Sequence, residues 1–298
     1  MPLAPSSLSP YLYIPAATLA FLVLGGLAAS VRERMDRTFR GERDLASGLG
    51  IRCIGVVPTP PSSRQRKQAA LRHLSLPFDR AIDAVAALAF ELLQDSGEGR
   101  TLVVTSSRFG EGKSAVAAGI AAYAARAQKR VLLISADPAP VAQAPKAEGQ
   151  AATPKVPFEL CRDSDLGFDI VALNGTGTAG QGIATDAEWA STLGKLRDHY
   201  EHVVIDAPAV LESARVPLLA ARCDLVLFAV RWGDTRRDVA LNAVNLLTKL
   251  SALSGRPRPN IYSVLTHVRL RENARDARGE AAQFLCEGPR RGASSRFA

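Results

Sequence analysis

Residues 106–114 read Ser106-Ser107-Arg108-Phe109-Gly110-Glu111-Gly112-Lys113-Ser114. Glycines, a lysine and a hydroxyl at this spacing are suited to cradling phosphate groups. Consecutive backbone N–H groups and the N-terminus of the following helix point at the anion, Lys113 reaches the β- and γ-phosphates, and the Ser114 hydroxyl binds Mg²⁺. Gly110 and Gly112 let the backbone approach closely. Ser107 stands where the first glycine of such a loop usually lies. A tight turn carrying a surface lysine is the plainer reading. The apolar run before the segment, the helical pattern after it and a second strand ending in a carboxylate argue for the phosphate reading.

That second strand is Val203-Val204-Ile205-Asp206. Its carboxylate falls beside the loop, where an oxygen ligand holds magnesium through water. An Asp at the end of an apolar strand is also a helix cap, and the upstream loop favours the metal role.

These residues need an alternating frame. Apolar strand runs are expected at 101–105, 131–135, 169–173, 202–206, 225–230 and 261–266. Helical patterns are expected at 81–93, 114–127, 186–199, 213–221 and 235–250, with Asp234-Thr235 as a cap for the last. The strands are unbroken apolar runs, as in parallel strands covered on both faces, so the fold class is α/β with a doubly wound, mostly parallel sheet. The Ala/Pro/Gln/Lys-rich stretch 138–157 reads as a mobile loop, and 271–298 as a disordered basic tail.

Upstream, residues 11–31 contain no charged side chain, which is about the length of helix that crosses a bilayer core of roughly 30 Å. A membrane span is the reading taken. A signal peptide and a buried helix are the rivals: Ala28-Ala29-Ser30 could pass for a cleavage site, but residues 1–10 carry no positive charge. Arg32, Arg34, Arg37, Arg40 and Arg43 follow at once, so the positive-inside rule puts the main domain in the cytoplasm and the short segment 1–10 outside. Residues 32–77 read as a basic juxtamembrane linker. Its Pro/Ser/Arg/Lys-rich part from 57 either rests on anionic headgroups or is simply solvated. The kinase-like domain is expected over 78–270.

The chain carries 37 Lys and Arg against 29 Asp and Glu, with a pI near 9.6. The excess sits at 32–73 and 269–298, leaving the domain between them near neutral. A basic core surface, the footprint of nucleic-acid binding, is absent, so anionic membrane lipid is the expected polyanionic partner. Cys53, Cys161, Cys223 and Cys286 lack metal-site or redox spacing and read as reduced structural thiols. His73, His199, His202 and His267 read as surface or packing residues, and Trp189 and Trp232 as packing residues.

The segments Ser-Ser-x-x-Gly-Glu-Gly-Lys-Ser, Val-Leu-Leu-Ile-x-Ala-Asp and Val-Val-Ile-Asp-x-Pro resemble the cytoplasmic domain of bacterial tyrosine kinases joined to polysaccharide co-polymerases. That family is related to the MinD/ParA-like P-loop NTPases, although Arg108 replaces their signature lysine. The resemblance also takes in the span, Asp36-Arg37-Thr38-Phe39-Arg40 and Gly55-Val56-Val57-Pro58, and so covers roughly residues 8–275. It likens the chain to the C-terminal part of such a protein, without a first span and periplasmic domain.

The resemblance implies ATP and Mg²⁺ as cofactors. It implies Lys113, Asp137 and Asp206 as catalytic residues, Ser107, Gly110, Glu111, Gly112, Lys113 and Ser114 as the nucleotide-binding loop, and Ser114, Asp137 and Asp206 at the metal. It also implies a place at the bacterial inner membrane beside polysaccharide polymerase and export proteins, with a co-polymerase periplasmic partner. Four departures stand out. The family's Asp-x-Asp is Ser135-Ala136-Asp137, and a serine cannot act as a carboxylate base. Ala139 replaces an arginine. The Glu-x-x-Arg-x-x-Arg ring-assembly motif aligns with Asp83, Ala86 and Ala89. The tail tyrosines are absent, Tyr262 being the last. The readings carried forward are a tyrosine-kinase-like ATP-binding component of exopolysaccharide or capsule synthesis, a non-catalytic nucleotide-sensing subunit of that machinery, and a MinD/ParA-like membrane ATPase.

Overall fold

The computed structural model describes residues 10–35, 37–62, 76–94, 100–136, 161–163, 167–172, 186–253 and 260–269. Asp137, Ala139, His73, Cys286, the 138–157 stretch and the 271–298 tail lie outside them. The chain divides into two units, Met1–Thr38 and Phe39–Ala298.

The first unit contains helix α1 (Pro10–Met35), which takes in the expected span. At 1.5 Å per residue its 26 residues extend roughly 39 Å. Leu19, Phe21, Leu22, Val23, Leu24 and Leu27 are exposed along it. Counting only the described residues, no helix is long and apolar enough to cross a membrane.

The second unit begins with α2 (Glu42–Leu49) and β1 (Arg52–Pro58), then α3 (Pro77–Gln94), β2 (Arg100–Ser106), α4 (Lys113–Arg126) and β3 (Val131–Ser135). It continues through β4 (Cys161–Asp163), β5 (Phe168–Ala172), α5 (Asp186–His199), β6 (His202–Asp206), α6 (Val216–Ala220), β7 (Leu225–Arg231), α7 (Arg237–Leu253) and β8 (Asn260–Val268). The strands form one sheet in the order β1-β8-β7-β2-β6-β3-β5-β4. Every pairing is parallel except the antiparallel β4·β5 edge.

The apolar strands are continuous because both faces are covered. Val103, Ile205, Val226 and Phe228 pack against α2, α5, α6 and α7, while their neighbours Leu102, Val104, Val204 and Leu227 pack against α3 and α4. Period-two alternation of side chains then demands apolar residues at every position. Helix α4 is alanine-rich, which lets it lie close to α3.

Residues 42–58, read from sequence as linker, belong instead to the domain. Arg52–Pro58 pairs with β8 at the sheet edge, and Phe39, Leu45 and Leu49 are core residues. The charges of Glu42, Arg43, Asp44 and Arg52 conceal this apolar set in a composition count. Helix α7 begins at Arg237, later than the expected 235. Ala86 and Ala89, aligned with the ring-motif arginines, are fully buried on the inner face of α3. Asp83 pairs with Arg126 of α4.

Two helix-interior glycines separate packing from propensity. A Cβ at Gly119 of α4 would lie 2.5 Å from Ile82 Cγ2 of α3, whereas one at Gly194 of α5 would meet nothing within 4 Å. Gly194→Ala should therefore stabilise the fold by about 0.5–1 kcal/mol through propensity alone. Gly119→Ala should destabilise it by about 1–3 kcal/mol through overpacking. Urea unfolding of the two variants should shift the midpoint in opposite directions.

Candidate functional site

Strand β2 lies between β6 and β7, and the chain leaves it for α4 and β3 on one side while β7 and β8 extend the other. Such a reversal of strand order opens a crevice at the carboxyl ends of the strands. Register fills that crevice: Val104 of β2 and Ser135 of β3 both pair with Asp206 of β6, and Ser106 of β2 pairs with Ala229 of β7.

The chain turns from β2 to α4 through Ser107–Gly112. Gly110 and Gly112 have φ of 84° and 85°, the left-handed region that glycine enters without strain. A Cβ on Gly112 would also come within 2.8 Å of His267 Cε1. Gly112 is the N-cap of α4 and offers no side-chain cap. The first N–H groups of the helix are thus left to an outside acceptor, which is the basis of an anion site.

The loop is held from inside. Glu111 is buried, and its carboxylate accepts from Ser107 Oγ at 2.8 Å, from the Arg108 N–H at 2.9 Å and from Thr235 Oγ1. Burial pushes the Glu111 carboxyl above its ordinary pKa, against these hydrogen bonds, which favour the charged form. The Glu111 carbonyl accepts from Thr266 Oγ1 of β8. Outside, the Phe109 N–H donates to Glu212 Oε1 at 3.0 Å and Arg231 Nη1 donates to the Gly110 carbonyl at 3.2 Å.

The Lys113 ammonium lies 3.8 Å from Asp206 Oδ1, with both side chains almost wholly buried, and 3.4 Å from Ser114 Oγ. A lysine held this way stays at the mouth of the helix without extending into solvent. The structure brings Gly110, Gly112, Lys113, Ser114 and Asp206 together at the helix mouth and turns the Glu111 carboxylate inward. Ser107 does not face the cradle, because its fully buried hydroxyl is turned to Glu111. Ser135 is buried at the end of β3, and the Ala136 N–H donates to the Asp206 carbonyl at 2.9 Å.

Sequence reading missed Glu212, Arg231, Thr235, Thr266 and His267. They lie 98 or more residues beyond Ser114 in sequence: Glu212 reaches the loop from the connection after β6, Arg231 and Thr235 from the end of β7, which pairs with β2, and Thr266 and His267 from β8, which pairs with β7. Thr235, expected as a helix cap, donates to Glu111 instead. His267, expected as a surface or packing residue, has φ of 55° and packs on Gly112. Trp189 is a core residue, Trp232 Nε1 donates to the Arg40 carbonyl at 3.0 Å, and His202 packs on Phe90 with ring centroids 4.4 Å apart and planes tilted by 41°.

Burial holds the His267 imidazole below its ordinary value of 6.5, with help from the positive Arg231, while Asp234 opposes. Between that lowered value and 6.5 the unfolded chain binds more protons than the folded one, so this contribution to stability is complete above 6.5 and is lost as pH falls. Proton NMR of the full chain should show the His267 resonance titrating below 6.5, and Arg231→Gln should move its midpoint upward.

No protein-family model matches the chain. The succinoglycan biosynthesis transport protein ExoP of Rhizobium meliloti is 27% identical over 278 residues, covering 79% of this chain and 35% of its own length. EpsB of Ralstonia solanacearum, named as a candidate tyrosine-protein kinase, is 28% identical over 239 residues, covering 73% and 32%. The chain thus spans about a third of the length of these curated relatives. Among solved structures, the kinase domain of Escherichia coli tyrosine kinase ETK aligns with a TM-score of 0.55 at 20% identity, over 74% of this chain and 93% of that one. The BceF tyrosine kinase domain aligns at 0.58 and 17% identity, over 78% and all of its chain. These likenesses establish the fold.

Proposed function

We propose, from the chain's kinship with the bacterial tyrosine kinases and polysaccharide co-polymerases, that it is an ATP-binding, tyrosine-kinase-like component of exopolysaccharide or capsule synthesis and export, acting in chain-length control. The carrying observation is the preformed loop at the N-terminus of α4, uncapped by any side chain, with Lys113 buried beside Asp206. Such a cradle fits a nucleotide phosphate: backbone donors and one lysine supply positive potential where the helix dipole adds to it.

In this reading the N–H groups from Gly110 to Ser114 and the Lys113 ammonium hold the phosphates. Ser114 Oγ and the Asp206 carboxylate are hard oxygen ligands suited to Mg²⁺, and Asp137 is proposed with them from the sequence. Bound Mg-ATP supplies an activated phosphoryl group, and its transfer is mainly a matter of position and charge neutralisation. The chain's own part is to fix the phosphate chain and exclude water around Lys113.

Ser135 favours a second reading, a nucleotide-sensing regulatory subunit with little or no kinase activity. It pairs with Asp206 in the sheet at the site where the family places a carboxylate, and its hydroxyl is no base at neutral pH. Loss of a general base costs about 10²–10⁴ in rate. The buried Ala86 and Ala89 support the same reading, since no arginine ring contact can form there.

The inner-membrane anchor is proposed from the uncharged run 11–31 of the sequence, and the exposed Leu19, Phe21, Leu22, Val23, Leu24 and Leu27 of α1 are compatible with it, although no described helix meets the length and apolarity of a span. The arginines from Arg32 to Arg43 then place the main domain in the cytoplasm beside anionic lipid, with polysaccharide polymerase, export and periplasmic co-polymerase proteins as partners.

Saturating Mg-ATP, at 100 times Kd, should stabilise the full chain in detergent by about 2.7 kcal/mol. Thermal unfolding should show that gain, and Lys113→Ala should abolish it; no gain in the parent chain would refute nucleotide binding. Incubation with Mg-ATP followed by phosphotyrosine detection separates the two readings. A strong signal removed by Lys113→Ala means kinase, and none means a nucleotide sensor.

A further inference from the structure

We propose that Thr235 is a positioning residue of the phosphate loop, acting through the buried Glu111 carboxylate from 124 residues away in sequence. The inference rests on the nucleotide-binding reading of that loop and assigns a role to a residue outside it.

The direction of the hydrogen bonds carries the argument. Thr235 Oγ1 accepts the Arg231 N–H at 3.0 Å. Its own hydrogen is therefore directed to Glu111 Oε1, and both residues are buried. The same carboxylate takes the Ser107 hydroxyl and the Arg108 N–H. One anionic group thus gathers three donors, two from the first turn of the loop and one from the β7–α7 connection. Charge-assisted hydrogen bonds in a buried site are about twice as strong as neutral ones.

The geometry also explains Ser107. A glycine at the first loop position brings no side-chain donor, whereas here the serine hydroxyl fills the interior and ties the start of the loop to its middle. Glu111 faces inward to this brace while the loop's N–H groups face the helix mouth. The Arg231 guanidinium holds the Gly110 carbonyl, so the connection that begins at Arg231 grips the loop at two adjacent residues, 110 and 111. Nothing in this arrangement requires Thr235 to touch a nucleotide. Its effect is to keep Glu111, and with it the loop N–H groups, in place before the phosphate arrives, which lowers the ordering cost of binding.

The test uses the full chain in detergent, with calorimetric titration of Mg-ADP. Thr235→Val keeps the shape and removes the hydroxyl; a lost hydrogen bond to a charged group corresponds to binding weaker by roughly 10-fold or more. Thr235→Ser should bind like the parent. Glu111→Gln should also weaken binding, and the Thr235→Val, Glu111→Gln pair should be no weaker than Glu111→Gln alone, since the two act as one unit. Trypsin cleavage after Arg108 in the nucleotide-free protein should be faster by roughly 10-fold in Thr235→Val and unchanged in Thr235→Ser, because cleavage follows the opened loop.

Parent-like Mg-ADP binding and parent-like cleavage in Thr235→Val would overturn the inference and leave the nucleotide reading standing. Absence of Mg-ADP binding in the parent would overturn the nucleotide reading, and with it this role. Should Thr235→Val not fold, Glu111→Gln decides the matter by the same two measurements, parent-like values again overturning it.

Discussion

The turn from β2 into α4 must hold its backbone N–H groups in place without side-chain caps, and a single buried carboxylate, Glu111, does the holding. Glu111 gathers the Ser107 hydroxyl, the Arg108 N–H and the Thr235 hydroxyl within the loop. Burying a charge is costly unless it is well hydrogen-bonded, and these donors meet that condition. The left-handed glycines on either side of Glu111 let the backbone turn around it. With the loop fixed, Lys113 and Asp206 come together at the helix mouth, the arrangement on which the proposed phosphate site rests.

The sheet makes that arrangement possible. Because β2 is flanked by β6 and β7, the carboxyl ends of three strands meet at one crevice, and β8 brings Thr266 and His267 to the far side of the loop. Two apolar layers hold the strands in register, one against α3 and α4 and the other against α2, α5, α6 and α7. Edge strand β1 and helix α2 complete the second layer, so the stretch just after α1 is part of the domain that carries the site.

Much of this was legible from the sequence, and the residues show where legibility ends. The apolar runs at 131–135 and 202–206 correspond to β3 and β6 residue for residue or within their ends, because a strand buried on both faces leaves an unmistakable pattern. The loop was legible because glycine, lysine and serine must be contiguous to act. Strand β1 was hidden by surrounding charges and by its place at the sheet edge, where only part of it is buried. Thr235, Arg231 and His267 were hidden for a different reason: single polar residues at strand ends carry no local pattern, and only the tertiary register of β7 and β8 reveals their target. The position of Ser107 in the loop is visible in sequence, whereas the direction of its hydroxyl, toward Glu111, is not.

On the proposed nucleotide reading the site is sparsely equipped for proton abstraction, since Ser135, not a carboxylate, lies beside Asp206 in the sheet. The most direct test of the site itself is hydrogen exchange in the full chain with and without saturating Mg-ADP. The account predicts that protection rises at the amides of Gly110 to Ser114 and disappears in Lys113→Ala. Unchanged exchange across those residues at millimolar Mg-ADP would contradict it.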